Sequence, residues 1–114
     1  MTRIFYAIVD GDPLTSGGYV MVPPHQDTVE DDQGKKRNIA YVGHSAWCAQ
    51  CKSMGVIVGG SGMSMDMRPV NQALGGLKQA ISGDYVACGC HENPRVVARY
   101  APGLRFIDKQ TPEL

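Results

Sequence analysis

A six-residue pattern occurs three times in this chain, as Gly11-Asp12-x-x-x-Ser16, Gly43-His44-x-x-x-Cys48 and Gly83-Asp84-x-x-x-Cys88. All four cysteines lie at or just after its second and third copies. Each copy follows a short apolar run with β-branched residues: Ala7-Ile8-Val9, Ile39-Ala40-Tyr41-Val42 and Ala80-Ile81. Each also leads into another such run: Tyr19-Val20-Met21-Val22, Val56-Ile57-Val58 and Val96-Val97-Ala98. Runs of this kind bounded by Gly, Pro, Asp and Ser read as strands, so the chain is predicted to be all-β, built from three strand-turn-strand units. One such unit cannot bury its own apolar face. Three must share a core, and their equivalent turns then gather at one end, which would bring Cys48 and Cys51 near Cys88 and Cys90.

With 114 residues and 43% apolar content the chain has room for one domain and a modest core. Fourteen glycines and seven prolines favour turns over long helices. The only candidate helical stretch, Val70 to Ala80, is interrupted by Gly75-Gly76 and reads as a loop or a single helical turn. Eleven basic and eleven acidic residues cancel, which leaves no electrostatic footprint for nucleic acid or an anionic membrane. The N-terminus runs straight into the first repeat without a signal peptide, and no apolar stretch approaches span length, so synthesis in the cytoplasm is expected. In that reducing compartment, closely spaced cysteines read as metal ligands or core residues before disulfides.

Two interruptions separate the repeats. Residues 23–38 place Glu30, Asp31 and Asp32 before Lys35, Lys36 and Arg37 around Gly34, the pattern of a solvated hairpin tip with opposite charges across the turn. Residues 59–79 open on Gly59-Gly60-Ser61-Gly62 and then alternate Met63, Met65 and Met67 with polar residues, which reads as an irregular loop with partly buried methionines ahead of a Met-rich contact surface for a partner. A short tail is expected over about 103–114.

The chemistry lies in the thiols. Cys48-Ala49-Gln50-Cys51 has the two-residue spacer that lets both sulfurs of a tight turn reach one ion, and Cys88-Gly89-Cys90 supplies a second pair. Four thiolates in tetrahedral array suit a structural zinc ion, so Cys48, Cys51, Cys88 and Cys90 are the predicted metal ligands, ahead of buried free cysteines and of redox use of Cys-x-x-Cys, which no helix pattern follows. His44 and His91 are the alternatives for one ligand position, while His25 sits in the charged interruption and reads as exposed. Trp47 is expected to pack against the metal loops. An enzyme using Cys48 or Cys51 as nucleophile and His44 as base lacks an orienting carboxylate at an arguable spacing, and no catalytic activity is predicted.

The stretch Gly11-Asp12-Pro13-Leu14-Thr15-Ser16-Gly17-Gly18-Tyr19-Val20 resembles the opening motif of PAAR-repeat proteins. Cys48-x-x-Cys51 followed by Gly55-Val56-Ile57-Val58 is similar to that family's second motif, and Gly83-Asp84-Tyr85-Val86-Ala87-Cys88-Gly89-Cys90 to its closing one. The resemblance covers residues 3 to 99 and implies one PAAR-like domain over 1–114, a small three-sided β cone with metal near its apex. It implies a tip that caps the trimeric valine-glycine-repeat spike protein (VgrG) of a type VI secretion machine. Such a tip sharpens the spike for membrane piercing, carries effector or toxin proteins, and leaves the bacterial cytoplasm when the machine fires. One copy per trimer, and a monomer alone, are expected. The usual family site draws three histidines and a cysteine from the motifs. Here Ser16 and Asp84 stand at two of those positions, which implies a sulfur-rich variant completed by Cys88 and Cys90. A small zinc-ribbon-like module binding nucleic acid or protein is the runner-up; it shares the four cysteines but calls for basic and aromatic residues around the metal loops.

Overall fold

The computed structural model describes residues 2–24, 27–101 and 103–109. Its strands are β1 (Thr2–Tyr6), β2 (Gly18–Met21), β3 (Thr28–Glu30), β4 (Lys36–Asn38), β5 (Ser45–Cys48), β6 (Ser53–Gly59), β7 (Val70–Asn71), β8 (Leu77–Lys78), β9 (Tyr85–Ala87) and β10 (Arg105–Lys109). Two short 3-10 turns, Met65–Met67 and Gln72–Leu74, complete an all-β domain of several small sheets. Among the described residues no helix is long and apolar enough to cross a membrane.

The first apolar run of each repeat is not a full strand. These runs meet one another through isolated bridges, Ala7 with Ile81, Val9 with Ile39 and Tyr41 with Gln79. The hydrogen bonds close a cycle: the Ile8 amide donates to the Ala80 carbonyl, Ala80 to Ala40, and Ala40 back to Ile8. A second cycle of the same kind runs from Asp10 to Asn38, from Val42 to Lys78 and from Ser82 to Tyr6. Three chain segments around one axis leave each too short a contact for a ladder, which is why only bridges form.

The repeated hexapeptide makes the same turn three times. The amides of Asp12, His44 and Asp84 donate to the carbonyls of Val9, Tyr41 and Ile81. The side chains of the same three residues accept from the amides of Val9, Tyr41 and Ile81 at 2.8, 3.0 and 2.9 Å. Gly11, Gly43 and Gly83 precede them with φ of 90°, 105° and 90°, a region that side chains disfavour.

After each turn the chain doubles back, as the β5–β6 hairpin in the middle repeat and through isolated bridges in the other two. The run Val96-Val97-Ala98 expected as a strand is therefore not one, and the three hairpin-like units join side by side. The four-stranded sheet runs in the order β2, β5, β6, β9, all antiparallel. Beyond its two edges, Tyr85 bridges Arg95, Val96 bridges Leu14, and Pro13 bridges Tyr19, so the wall closes on itself. Closure removes the free sheet edges that would otherwise recruit other strands. Inside lie equivalent residues of the three repeats: Ile8, Ala40 and Ala80; Leu14, Ala46 and Val86; Val20, Ile57 and Val96, all buried in one cluster. The closed wall explains how so small a chain has a core at all, since the inward residues of all three repeats share one buried cluster.

Each repeat is entered through a two-stranded ribbon: β1 with β10, β3 with β4, and β7 with β8. The ribbons continue equivalently, through Ala7 to Leu104, Ile39 to Asp27 and Gln79 to Pro69. The segment expected as a tail from 103 therefore contributes β10. Its pairing sets Phe106 opposite Phe5, and both join Met63 and Ile81 in a second small core. Residues 110–114 and His25 lie outside the described residues.

The charged interruption forms the expected hairpin, with Glu30 opposite Lys36. It is less solvated than charge patterning suggests. Asp31 is buried, receives the Arg37 guanidinium at 2.8 Å and caps the amides of Gln33 and Lys35. Arg37 in turn donates to the Asp10 carbonyl and lies over the Tyr100 ring. The Val70–Ala80 stretch holds the expected single turn, flanked by β7 and β8. Of the three methionines, Met63 is buried, Met65 half-buried and Met67 exposed.

Candidate metal centre

Side chains alternate along each hairpin strand, and that alternation carries the core up to the sulfurs. Two residues beyond inward-facing Ala46 comes Cys48; two beyond Val86 comes Cys88; two beyond Leu14 comes Ser16. Cys51 lies in the turn between β5 and β6, where Lys52 takes a left-handed conformation (φ 54°). Cys90 follows Cys88 across Gly89, and a Cβ added at Gly89 would sit 3.6 Å from both Cβ and Sγ of Cys51. The approach of β9 to β6 depends on Gly55, where a Cβ would come within 2.6 Å of the Ala87 carbonyl oxygen. Two adjacent hairpins thus deliver two thiols each.

The four Sγ atoms all lie within 4.8 Å of one another, and those of Cys48 and Cys90 are 3.5 Å apart. A tetrahedral ion with metal–sulfur bonds of about 2.3 Å has sulfur–sulfur edges of about 3.8 Å, so the set is compatible with one coordinated metal ion. None of the four is in a disulfide. Cys48 is fully buried, and the other three are partly so.

The electrostatics divide the thiols into two kinds. The Ser16 hydroxyl, 3.2 Å from Cys48 Sγ, together with the Cys51 amide lowers Cys48 to about 6. Ser53 Oγ, 3.0 Å from Cys51 Sγ, lowers Cys51. Burial raises Cys88, and burial followed by the neighbouring thiols pushes Cys90 up to about 12. No cationic side chain is among the groups that set these values. A bound cation is the missing charge that would let all four become thiolates, which fits a metal to the set.

The structure brings together the sulfurs of all four predicted ligands and leaves His44 and His91 out of the set. His44 immediately precedes the strand that ends at Cys48, four residues and about 13 Å away at a normal strand rise. Its Nδ1 accepts the Tyr41 amide, and its ring stands edge-on to Tyr41. His91 is exposed on the wall of a polar cleft that also includes Ser16, Gln50 and Glu92. Trp47 corrects a further expectation: with Ala46 and Cys48 facing inward, alternation turns it to the outer face. There it pairs with Tyr19 and Met54, away from the sulfurs. Asp84 is buried against the Arg68 guanidinium, at 2.7 and 2.9 Å through both its oxygens. Sequence reasoning missed Ser53 and the contact of Ser16. The signal for Ser16 was its place in the hexapeptide, level with Cys48 and Cys88.

Comparison of the chain with protein-family models, with curated proteins and with solved structures gives no match.

Proposed function

We propose that this protein is a rigid, metal-clamped tip that caps the end of a homotrimeric shaft, the VgrG-type spike that the motif resemblance implies. The observation that carries this reading is the closed cycle of hydrogen bonds through Ile8, Ala40 and Ala80. It gives a single chain approximate threefold symmetry, and such a chain offers three similar contact sets to the end of a trimer without forming a trimer itself. The three ribbons, one entering each repeat, are the elements that would grip the shaft. In each repeat the chain passes from ribbon through ring to hairpin, so the reading takes the shape as a three-sided cone with the sulfurs toward its narrow end. A narrow end buries little apolar area, and a zinc ion held by Cys48, Cys51, Cys88 and Cys90 would cross-link it in place of a core. Effector carriage belongs to the same reading.

A broader reading rests on the sulfur cluster alone. Two adjacent hairpin tips carrying two thiols each are all that a small zinc-ribbon-like module for protein or nucleic acid needs, and the cluster by itself supports that class directly. Sedimentation and pull-down separate the two. The tip reading expects a monomer that binds one copy per spike trimer and resists salt. A stable homotrimer of this chain, or salt-sensitive DNA binding with no affinity for a spike trimer, overturns it in favour of the module.

A further inference from the structure

We propose, resting on the metal-clamp reading, that the sulfur cluster doubles as a redox clamp: a hydroperoxide converts it into a Cys48–Cys90 disulfide that releases the metal while keeping the second and third hairpins tied together. The argument begins with distances. Cys90 Sγ lies 3.5 Å from Cys48 Sγ, and a disulfide of about 2.05 Å requires a closure of about 1.5 Å. Cys48 ends β5, whereas Cys90 lies beyond β9, so the new bond would join the same two hairpins that the metal joins.

The ordinary outcome for a Cys-x-x-Cys turn would be a Cys48–Cys51 bond. Here Cys51 lies near Cys48 but is held by a further partner. Its Sγ is hydrogen-bonded to Ser53 Oγ at 3.0 Å and lies over Gly89, the residue between Cys88 and Cys90. Access is also unequal. Cys90 is partly exposed and Cys48 is fully buried, so the oxidant meets Cys90 first and Cys48 serves as the resolving thiol. The polar cleft lined by Ser16, Gln50 and His91 reaches the Ser16 hydroxyl, which lies 3.2 Å from Cys48 Sγ.

The step balances. Cys90, a thiolate when it ligates the metal, attacks the peroxide O–O bond and becomes a sulfenic acid, and the departing alkoxide or hydroxide takes up a proton from solvent to leave as an alcohol or, from hydrogen peroxide, as water. The Cys48 thiolate then attacks the Cys90 sulfur and expels hydroxide, which takes up a proton to become water. Two electrons pass from the two sulfurs to the peroxide oxygens. The two sulfurs no longer act as anionic ligands, and an ion left with two thiolates dissociates.

The test uses the protein as isolated, with hydrogen peroxide as the oxidant and a chromogenic chelator reporting metal. Non-reducing peptide mapping with fragmentation then assigns the bond. The expected result is a disulfide between Cys48 and Cys90, formed in step with metal release and absent in Cys90→Ser. A Cys48–Cys51 bond, or sulfinic acids without any disulfide, overturns the redox clamp even when metal is released. A protein that carries no metal as isolated overturns the metal-clamp reading and, with it, the coupled release, whereas the peptide map still reads the cross-link by itself.

Discussion

His44 accepts the Tyr41 amide at 3.0 Å through Nδ1, doing in the middle repeat what a carboxylate does for Val9 and Ile81 in the other two. A residue that reads as a spare metal ligand is thus committed to a turn. His44→Ala should leave the metal content unchanged and destabilise the fold by about 1–2 kcal/mol, the cost of an unsatisfied buried amide. His44→Asp should recover most of that loss. Metal analysis beside thermal melting checks both, and loss of metal in His44→Ala would return the imidazole to the ligand set.

Cys90→Ser removes one corner of the sulfur set. The expected outcome is loss of most bound metal and a melting temperature lower by roughly 10 °C or more, since each kcal/mol is worth about 4–8 °C in a domain of this size. An unchanged melting temperature with full metal occupancy would exclude Cys90 as a ligand.

Arg68 and Asp84 form a fully buried pair, with further bonds from Arg68 to the Gln79 and Met63 carbonyls and to Ser61 Oγ. Arg68→Leu leaves the Asp84 carboxylate buried without its cation and should cost about 3–5 kcal/mol. Arg68 Nε and Gln79 Oε1 are buried without partners, so the pair is not fully compensated even when intact. Combining Arg68→Leu with Asp84→Asn should therefore cost less than the sum of the single changes, as chemical denaturation in a double-mutant cycle would measure.

The Ser16 hydroxyl sets the sign of a pH dependence in the metal-free protein. Cys48 is lowered from an ordinary thiol value of 9.0 to about 6, chiefly by Ser16 and then by the Cys51 amide. A group whose folded value is depressed stabilises the fold above its unfolded value, and that contribution is lost as pH falls through about 6. Ultraviolet thiolate absorbance should therefore show one thiol titrating with a midpoint of about 6, and Ser16→Ala should move that midpoint upward. An unmoved midpoint would remove Ser16 from this role.

The sequence by itself determined the elements whose signals are local. Three copies of one hexapeptide announce three turns, because each turn needs only its own glycine and the acceptor that follows it. Apolar runs around those turns were enough to predict an all-β chain with shared burial, and the spacings Cys48-x-x-Cys51 and Cys88-x-Cys90 were enough to choose the four sulfurs. The tertiary structure decided what depends on partners far apart in the chain. Whether Ile8 meets Ala40 or Ala80 is a matter of closure around an axis, and it meets both. That Arg105–Lys109 is a strand rests on Thr2–Tyr6 at the other end of the chain, which no local run reveals. Arg68 in a methionine-rich loop carries no mark of burial until Asp84 faces it. Trp47 sits beside Cys48 in sequence but on the opposite face of the sheet, because neighbours along a strand point apart. Ser16 gains its role only when hairpin closure brings a hydroxyl to the sulfur of another repeat.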